Sequence, residues 1–310
     1  MADAGGASLE THAALLAVPR PVPRSRRRVL VTGAAGMLGS DLGPALAAAG
    51  HEVLARPKSD LDIADEKAVA RTLRELSPDV LVNCAAFTKV DDCEADPRAF
   101  DINAKAVGSL ADSCGHVGAQ LVQISTDFVF DGQKGAPYLE DDPVNPLSAY
   151  GHSKRAGEEA ALRLPGSLVV RSSWLFGRCG WNFVEAILKQ VEGGKDRLSV
   201  VSDQIGRPTA TTDLSEAIVA LLDAGASGVF HFANRGEVSW LEFAREILWL
   251  AGRGDVPVDP TTSASLARPA HRPAYSVLDT GKYERLTGRP IRAFRDPLAE
   301  YLGRRARPEA

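Results

Sequence analysis

Tyr150 and Lys154 form a residue pair whose types and spacing point to chemistry. They stand four positions apart, so on a helix both side chains lie on the same face. A tyrosine with a pKa near ~10 donates protons poorly at neutral pH, but a nearby ammonium group stabilises the phenolate and lowers that pKa. The pair therefore predicts a proton donor with its activating lysine, and the competing interpretation is a solvated helix face.

Three glycines, Gly33, Gly36 and Gly39, stand at three-residue spacing directly after a short β-branched run and at the start of a helical pattern. In that context glycine allows a tight turn and close approach of backbone N–H groups to a pyrophosphate at the helix N-terminus. The competing interpretation is a glycine-rich turn without a ligand. The spacing indicates a dinucleotide site of the short-chain dehydrogenase type, with Met37 and Leu38 inside the same turn.

The strand predicted at 120–125 ends in two hydroxyl residues, Ser125 and Thr126. Ligands of α/β proteins bind at the carboxyl ends of strands, where a hydroxyl can polarise a substrate carbonyl. Hydroxyls also cap strand ends, and spacing alone does not separate the two residues. Small residues after the buried strand at 80–83, namely Ala85 and Ala86 followed by Phe87, leave room for a cofactor across the sheet edge.

The end of the second predicted strand indicates which nicotinamide cofactor is bound. An acidic residue there would hydrogen-bond the ribose 2′-hydroxyl of NAD, but this chain has Arg56 and Lys58. A guanidinium pairs well with a 2′-phosphate, so NADPH is the predicted cofactor, with NADH as the alternative if Arg56 is only a solvated arginine. Asp62 and Ile63 are expected to flank the adenine.

The elements that must position these residues alternate along the chain. Short buried strands are predicted at 28–33, 52–55, 80–83, 120–125 and 167–171, with helices from the glycine turn up to Gly50 and at 66–76, 97–116 and 150–162. This alternation predicts an α/β fold, a doubly wound parallel sheet of the Rossmann type with a smaller C-terminal substrate-binding lobe. We expect a disordered leader at 1–27, the first domain at 28–172 rejoined by 211–232, and the lobe at 173–210 and 233–305.

Composition excludes several classes of protein. The formal charge of −4 gives no field that would attract nucleic acid, and the longest apolar runs are far too short to cross a membrane. The four cysteines show no CxxC spacing, so neither a zinc site nor a disulfide framework is expected and a cytoplasmic location is favoured.

Taken together, the motifs resemble the extended short-chain dehydrogenase/reductases, and most closely the dTDP-4-dehydrorhamnose reductases. The matching segments are VTGAAGMLG (31–39), PDVLVNCAA (78–86), STDFVFDG (125–132), PLSAYGHSK (146–154), RSSW (171–174), DQIGRPT (203–209) and RPAYSVLD (272–279). The last three are the most particular to this family, and the similarity runs from about Arg28 to Leu302.

The resemblance implies hydride transfer from NADPH, or NADH, to C4 of a dTDP-4-keto-6-deoxysugar, giving dTDP-L-rhamnose or a related deoxysugar. It implies that Tyr150 is the proton donor, Lys154 its activator and Thr126 the carbonyl partner. The implied sugar contacts are Asp127 and Trp174, and the implied diphosphate contacts are Asn182 and Arg272.

Some family members bind Mg²⁺ at a dimer contact through one acid on the first helix and another after Gly-x-Pro-Thr. Asp41 matches the first position, but the second is Thr212, with Asp213 as a substitute. Because hard cations need several carboxylate or carbonyl oxygens, we expect no metal site. A homodimer remains an expected assembly.

Two alternatives stay open at this stage. One is a non-catalytic NADP-binding regulator, like the regulatory subunit of methionine adenosyltransferase. The other is a different nucleotide-sugar ketoreductase that acts in natural-product glycosylation. The presence of Thr126, Tyr150 and Lys154 together favours an enzyme.

Overall fold

A computed structural model describes residues 26–305. The expected disordered leader therefore lies outside the described residues, except for Arg26 and Arg27. Within the described range, no helix is both long enough and apolar enough to cross a membrane.

The strands and helices follow one another in the alternation that the sequence predicts. The strands are β1 (Arg28–Thr32), β2 (Glu52–Arg56), β3 (Val80–Asn83), β4 (Gln120–Thr126), β5 (Leu168–Ser172), β6 (Leu175–Phe176), β7 (Leu198–Val201), β8 (Ile205–Gly206), β9 (Thr209–Ala210), β10 (Gly228–His231), β11 (Val238–Ser239) and β12 (Val258–Thr261). The helices are α1 (Met37–Ala48), α2 (Glu66–Leu76), α3 (Arg98–Phe100), α4 (Ala106–Val117), α5 (Ala149–Leu162), α6 (Phe183–Glu192), α7 (Thr211–Asp223), α8 (Trp240–Leu250), α9 (Ser263–Leu266), α10 (Gly281–Thr287) and α11 (Arg295–Arg305).

The central sheet has six parallel strands in the order β10-β5-β4-β3-β1-β2. This order runs outward in both directions from the β1/β3 pair, as in doubly wound nucleotide-binding folds, and it confirms the predicted fold class. All these strands present their carboxyl ends at one edge, which is where α/β proteins bind ligands.

Helices cover both faces of the sheet, which is why its strands are apolar on both sides. In β3, Val80 and Val82 pack with α1 and α7 on one face, while Leu81 packs with α2 and α4 on the other. Each of these three side chains is at most 1% exposed. The central strands are therefore fully enclosed, and only their ends are available for function.

The predicted helix at 97–116 is divided in the structure. A π-helical turn, Asp101–Lys105, separates α3 from α4 and buries Asn103. Wide turns of this kind interrupt the ordinary hydrogen-bond ladder and occur frequently at functional sites. Apolar periodicity tolerates such an insertion, so the sequence indicated one uninterrupted helix.

The lobe is built from short paired strands around an aromatic core. Pairs β6/β9, β7/β12 and β8/β11 surround helices α6 and α8. Phe243 in α8 is 1% exposed, and the rings of Phe176, Phe183 and Phe294 lie within 6.0 Å of its ring centre.

Helix α7 packs on α1, and β10 pairs with β5 at the edge of the sheet. This is the arrangement that a return of residues 211–232 to the first domain requires. The domain boundaries themselves stay a prediction.

Candidate active site

Tyr150 and Lys154 lie on α5 and face the carboxyl end of β4. The helix begins after Ser148, whose side chain accepts a hydrogen bond from the N–H of Gly151. Lys154 is 4% exposed, and its Nζ donates to the carbonyl oxygen of Ile124 at 2.7 Å. Tyr150 remains partly exposed. The helix cap therefore sets the register that aims both side chains at the same strand end.

The structure separates the two hydroxyls at the end of β4. Ser125 Oγ donates to the buried carboxylate of Glu158 at 2.6 Å, which uses that hydroxyl inside the protein. Thr126 Oγ1 instead lies close enough to Tyr150 to act on its phenol; it accepts from the N–H of Phe128 at 3.2 Å and donates to Asp127 Oδ1 at 3.0 Å. The geometry therefore favours Thr126 over Ser125 as the partner of the tyrosine.

The pKa of Tyr150 differs from the sequence expectation. Burial raises the pKa of this phenol well above its usual range, the Asp127 carboxylate raises it further, and the hydrogen bond with Thr126 only partly opposes the increase. Burial also lowers the pKa of Lys154 to about 8, although Glu158 opposes that change. The expected lowering of the tyrosine pKa by the lysine was wrong for this structure, because desolvation dominates.

Asp127 lies next to Tyr150, the proposed proton donor, and connects the sheet domain to the lobe. It is 2% exposed, and its Oδ2 accepts a hydrogen bond of 2.5 Å from Ser276 of the lobe. Burial raises the pKa of this carboxyl to about 6. Asp127 thus stands where the end of β4 meets the lobe, as a sugar-contacting residue would need to.

The glycine turn leaves no room for side chains. Gly33 has a positive φ of 63°, and a Cβ at Gly39 would lie 2.4 Å from the carbonyl oxygen of Gly33. Helix α1, which follows, has neither a side-chain cap nor an acidic residue in its first turn. Its N–H groups and dipole are therefore available to an anionic ligand such as a pyrophosphate. Of the two residues inside the turn, Leu38 is buried in the core, whereas Met37 is only partly buried.

The residues after β2 divide into surface and core. Arg56 is partly exposed and its guanidinium donates to the carbonyl oxygen of Ala55, so it can turn outward to a ligand. Asp62 forms an exposed ion pair with Lys58 at 3.6 Å. Ile63 is 3% exposed and packs in the core beneath α2, which leaves little of its side chain to contact an adenine.

The backbone of the segment after β3 is fixed by hydrogen bonds from a buried asparagine. The side chain of Asn103 accepts from the N–H of Phe87 at 2.8 Å and donates to its carbonyl oxygen at 2.9 Å. The amide of Ala85 donates to the Asn83 side chain at 3.2 Å. These hydrogen bonds fix the backbone of Ala85, Ala86 and Phe87 along the sheet edge. Asn103 lies in the π-helical turn, which the sequence did not predict.

On the lobe side, a cavity of about 760 Å³ lies next to the sheet edge. Its lining includes aromatic, amide and basic side chains from both parts of the molecule, among them Phe128, Gln204, Trp240, Arg268, His271 and Arg272. Trp174 stacks face to face on Trp240, with ring centres 3.5 Å apart. Arg272 makes a two-pronged ion pair with Asp91 at 3.0 and 2.8 Å. The cavity has the mixed apolar and cationic lining that a nucleotide sugar requires.

Asn182 is not brought to this cavity. Its side chain caps α6 by accepting from the N–H of Glu185 at 3.2 Å and donates to the carbonyl oxygen of Gly177 at 3.0 Å. The 5% exposed side chain thus has both ends of its amide engaged within the protein. The geometry supports a structural role here rather than contact with a diphosphate.

The acidic residues considered for a metal have protein partners. Asp41 accepts a 2.5 Å hydrogen bond from Thr211, and Asp213 is held by Arg292 and Asn234 at 2.6 Å each. Within residues 26–305, no group of three or more histidine, cysteine or acidic side chains is arranged to hold a metal ion. Asp213 is therefore poorly placed to substitute for the missing acid at Thr212.

Sequence reasoning also missed a buried charged network beneath the site. Glu158 is fully buried, and Arg171 bridges both of its oxygens at 2.8 Å each. A signal was available, since Glu158 follows Lys154 by four residues and so continues the face defined by Tyr150 and Lys154. Arg171 offered no such signal, because its partners come from distant segments.

Comparison with known proteins agrees with this geometry. A family model described as the RmlD substrate binding domain matches residues 27–306. The dTDP-4-dehydrorhamnose reductase of Streptomyces griseus is 44% identical over 92% of this chain and 98% of its own length, and the dTDP-4-keto-6-deoxy-D-glucose reductase of Streptomyces niveus is 40% identical over 88% and 96%.

The crystal structure of the dTDP-4-dehydrorhamnose reductase from Bacillus anthracis in complex with NADP superposes with a TM-score of 0.85 at 35% identity, covering 89% of this chain and 99% of that one. The resemblance inferred from the motifs is confirmed. The chain belongs to the family described as the RmlD substrate binding domain.

Proposed function

We propose that this chain is an NADPH-dependent reductase that converts the C4 ketone of a dTDP-4-keto-6-deoxysugar to an alcohol, with dTDP-4-dehydrorhamnose as substrate and dTDP-L-rhamnose, or a related deoxysugar, as product. The observation that carries the proposal is the meeting of Thr126, Tyr150 and Lys154 at the carboxyl end of β4. Membership in the family and the names of its relatives support the same substrate class.

The residues present fit a dinucleotide. The uncapped start of α1 and the space kept free by Gly33 and Gly39 suit its pyrophosphate, and the absence of an acid at the end of β2, with Arg56 there instead, suits a 2′-phosphate. When bound, NADPH supplies the hydride that the reduction needs. The Bacillus anthracis relative was crystallised with NADP, which supports the same cofactor here, with NADH as a second option.

The chain's own residues supply the proton and its placement. The phenol of Tyr150 carries a proton at neutral pH and is placed to donate it to the oxygen of the sugar ketone, although burial raises its pKa and so opposes the transfer. Thr126, which lies beside the phenol, is placed to hold the same ketone oxygen. The pKa of Lys154, about 8, lies above neutral pH, so most of this side chain is protonated there. Its positive charge favours the phenolate that remains after the transfer.

The cavity beside the site supplies a place for the nucleotide. Arg272 and Arg268 provide positive charge for a diphosphate, and Trp240 and Phe128 provide apolar surface. Asp127 and Trp174 are proposed to orient the sugar. The ion pair of Arg272 with Asp91 means that a substrate diphosphate would compete with that carboxylate for the guanidinium.

The alternatives are less well supported. A non-catalytic regulator does not need the assembled threonine, tyrosine and lysine, and the relatives named above are reductases by name. A ketoreductase for another deoxysugar shares the same chemistry and is separated only by substrate. A cytoplasmic location and a homodimer stay predictions from the sequence, and the homodimer is testable by light scattering.

The proposal is tested by following NADPH absorbance with purified protein and dTDP-4-dehydrorhamnose generated in place by the upstream dehydratase and epimerase. Tyr150→Phe should lower kcat by roughly 10²–10⁴-fold, the usual share of a general acid. Tyr283→Phe, which alters a buried tyrosine packed on Phe232, is the matched control and should retain activity. Binding of NADPH without turnover of any dTDP-4-keto sugar would favour the regulatory alternative.

A further inference from the structure

Glu158 occupies the third position on the helix face that carries Tyr150 and Lys154. The three residues are spaced by four in α5, so they stand one above another along the helix. Glu158 is 0% exposed, which is rare for a glutamate unless it is paired. The mechanism described above does not use this carboxylate, so its burial needs another explanation.

Four donors surround the carboxylate of Glu158. Its Oε1 accepts from Ser125 Oγ at 2.6 Å and from Arg171 Nε at 2.8 Å. Its Oε2 accepts from Arg171 Nη2 at 2.8 Å and from Arg155 Nη1 at 3.2 Å. Glu158 thus joins α5 to the last residues of β4 and β5. Ser125 directly precedes Thr126, so the position of the strand end depends on this carboxylate.

The network continues to the edge of the sheet. Nδ1 of His231 lies 3.1 and 3.2 Å from the carbonyl oxygens of Tyr138 and Asp279, so this nitrogen must carry the ring proton. Its Nε2 is then free to accept from Arg171 Nη1, at 3.3 Å. Burial and the nearby Arg171 lower the pKa of His231 to about 3, so the ring is neutral. Glu158 is therefore the carboxylate that pairs directly with the Arg171 guanidinium.

The charge of Glu158 also reaches Lys154. Titratable groups face Lys154 from its own helix, where Glu158 and Tyr150 lie, and from the segment after β3, where the Cys84 thiol lies. Burial raises the pKa of Cys84 to about 12, so that thiol is neutral. The β4 end presents the Ile124 carbonyl, and Asp127 faces Tyr150. Of the groups that act on Lys154, Glu158 is the carboxylate, and it opposes the lowering of the lysine pKa by burial.

We propose that Glu158 is a positioning residue for the reduction, which holds the Ser125–Thr126 strand end against α5 and keeps Lys154 charged beside Tyr150. The inference rests on the proposed function for its effect on turnover, but not for its effect on Lys154. The attachment to Ser125 and Arg171 places Thr126, and the buried negative charge favours the ammonium form of the lysine.

The test is Glu158→Gln, which preserves the shape of the side chain and removes its charge. We expect kcat to fall by about 10²-fold, as for a small misplacement of reacting groups, with NADPH still bound. We also expect the pKa of Lys154, followed by NMR of ε-¹³C-labelled lysine, to move below its wild-type value. Lys154→Met assigns the resonance.

Glu159→Gln is the matched control, since Glu159 is the adjacent residue, has a side chain 56% exposed and pairs with Arg155 at 3.0 Å. It should leave both kcat and the Lys154 titration unchanged. Glu158→Gln could fail to fold, because it leaves the buried Arg171 without its carboxylate partner. In that case the double variant Glu158→Gln/Arg171→Met, which removes both buried charges, is tested instead of the single variant.

The outcomes separate the two proposals. A lower thermal stability with unchanged kcat and an unchanged Lys154 titration would overturn the positioning role. An unchanged titration in the folded double variant would overturn it as well. Absence of turnover in the wild-type protein would count against the proposed function alone, because the Lys154 titration still tests the role of Glu158.

Discussion

The central sheet and the C-terminal lobe differ in how far strand pairing holds each of them together. The central sheet joins six parallel strands of four to seven residues into one layer, with a helix between successive strands from β1 to β4. The strands of the lobe are two to four residues long and form separate two-stranded pairs, while its helices α6 and α8 pack through the aromatic core around Phe243. The comparison teaches that a regular alternation of strands and helices organises the sheet, whereas side-chain packing organises the lobe.

The proposed active site lies where the sheet and the lobe meet. The sheet supplies the end of β4, and the lobe reaches it through the hydrogen bond between Ser276 and Asp127 and the ion pair between Arg272 and Asp91. The proposed proton donor and the proposed cofactor turn belong to the sheet domain. The proposed substrate cavity is lined mainly by the lobe, so damage to the lobe should weaken substrate binding before cofactor binding.

The largest effect is expected from Phe243→Ala in the lobe core. Removing a fully buried aromatic ring should lower the free energy of unfolding by roughly 3–5 kcal/mol. In the folded variant, NADPH affinity should change little and the KM for the sugar nucleotide should rise. Urea unfolding followed by tryptophan fluorescence measures the first quantity, and fluorescence titration with NADPH the second.

Trp249→Ala on the same helix provides the control, because Trp249 is 70% exposed and should cost within about 0.5 kcal/mol. Equal losses in the free energy of unfolding for the two variants would show that packing around Phe243 does not hold the lobe together. So would loss of NADPH binding in folded Phe243→Ala protein.

The next effect concerns the sheet domain alone. Gly39→Val places a side chain against the carbonyl oxygen of Gly33, where even a Cβ would lie at 2.4 Å, so we expect a loss of about 1–3 kcal/mol in stability and weakened NADPH binding. Gly43→Ala, in the same helix, meets nothing closer than 4.0 Å and should retain both. Calorimetric titration with NADPH compares the two variants. Equal affinities for NADPH would show that the glycine turn is not part of the cofactor site.

The same contrast explains how much of the fold could be predicted. The bounds of α2 and β3 agree with those predicted from the sequence, because an apolar period and a following Ser77-Pro78 break are local signals. The π-helical turn around Asn103 was missed, since its reason is a contact with Phe87 that no local pattern records. The sheet was predictable because its alternating elements bury a continuous core on both faces.

For the site, residue type and position at strand ends were sufficient to group Tyr150 and Lys154 with the hydroxyls of Ser125 and Thr126, and the family resemblance then selected Thr126. Local pattern could not assign the roles of residues with distant partners. Asn182 is engaged as a helix cap, and Ser125 is engaged by Glu158. The tyrosine pKa was predicted in the wrong direction, because the sequence shows which charges are nearby but not how far burial removes water from the phenol.

A smaller effect is expected in the pH dependence of stability. The pKa of His231 is about 3 in the folded protein and ~6.5 in an unfolded chain, so between those values the unfolded chain binds more protons and stability falls as pH falls. The slope from this group is about 1.4 kcal/mol per pH unit at most. Asp127, with a folded pKa of about 6, opposes it, because its carboxyl binds a proton more readily when folded.

The His231 contribution is therefore measured as wild type minus His231→Asn, which retains a donor toward the carbonyls of Tyr138 and Asp279. Urea unfolding at several pH values between 4 and 7 should show a difference that shrinks as the pH is lowered. Parallel wild-type and His231→Asn curves would mean that the histidine does not stay neutral in the folded protein.

The smallest effect is expected at Arg56, at the exposed end of β2. Its guanidinium is partly solvated and donates to the carbonyl oxygen of the neighbouring Ala55, so its pairing with a 2′-phosphate is worth about tenfold in affinity or less. Arg56→Asp should raise the kcat/KM ratio of NADH to NADPH, because the carboxylate repels the phosphate and can accept from the ribose hydroxyl. Lys58→Asp, two residues further on and paired with Asp62, is the comparison variant and should change the ratio less. Equal losses with both cofactors in Arg56→Asp would show that the arginine supports the strand end and does not select the cofactor.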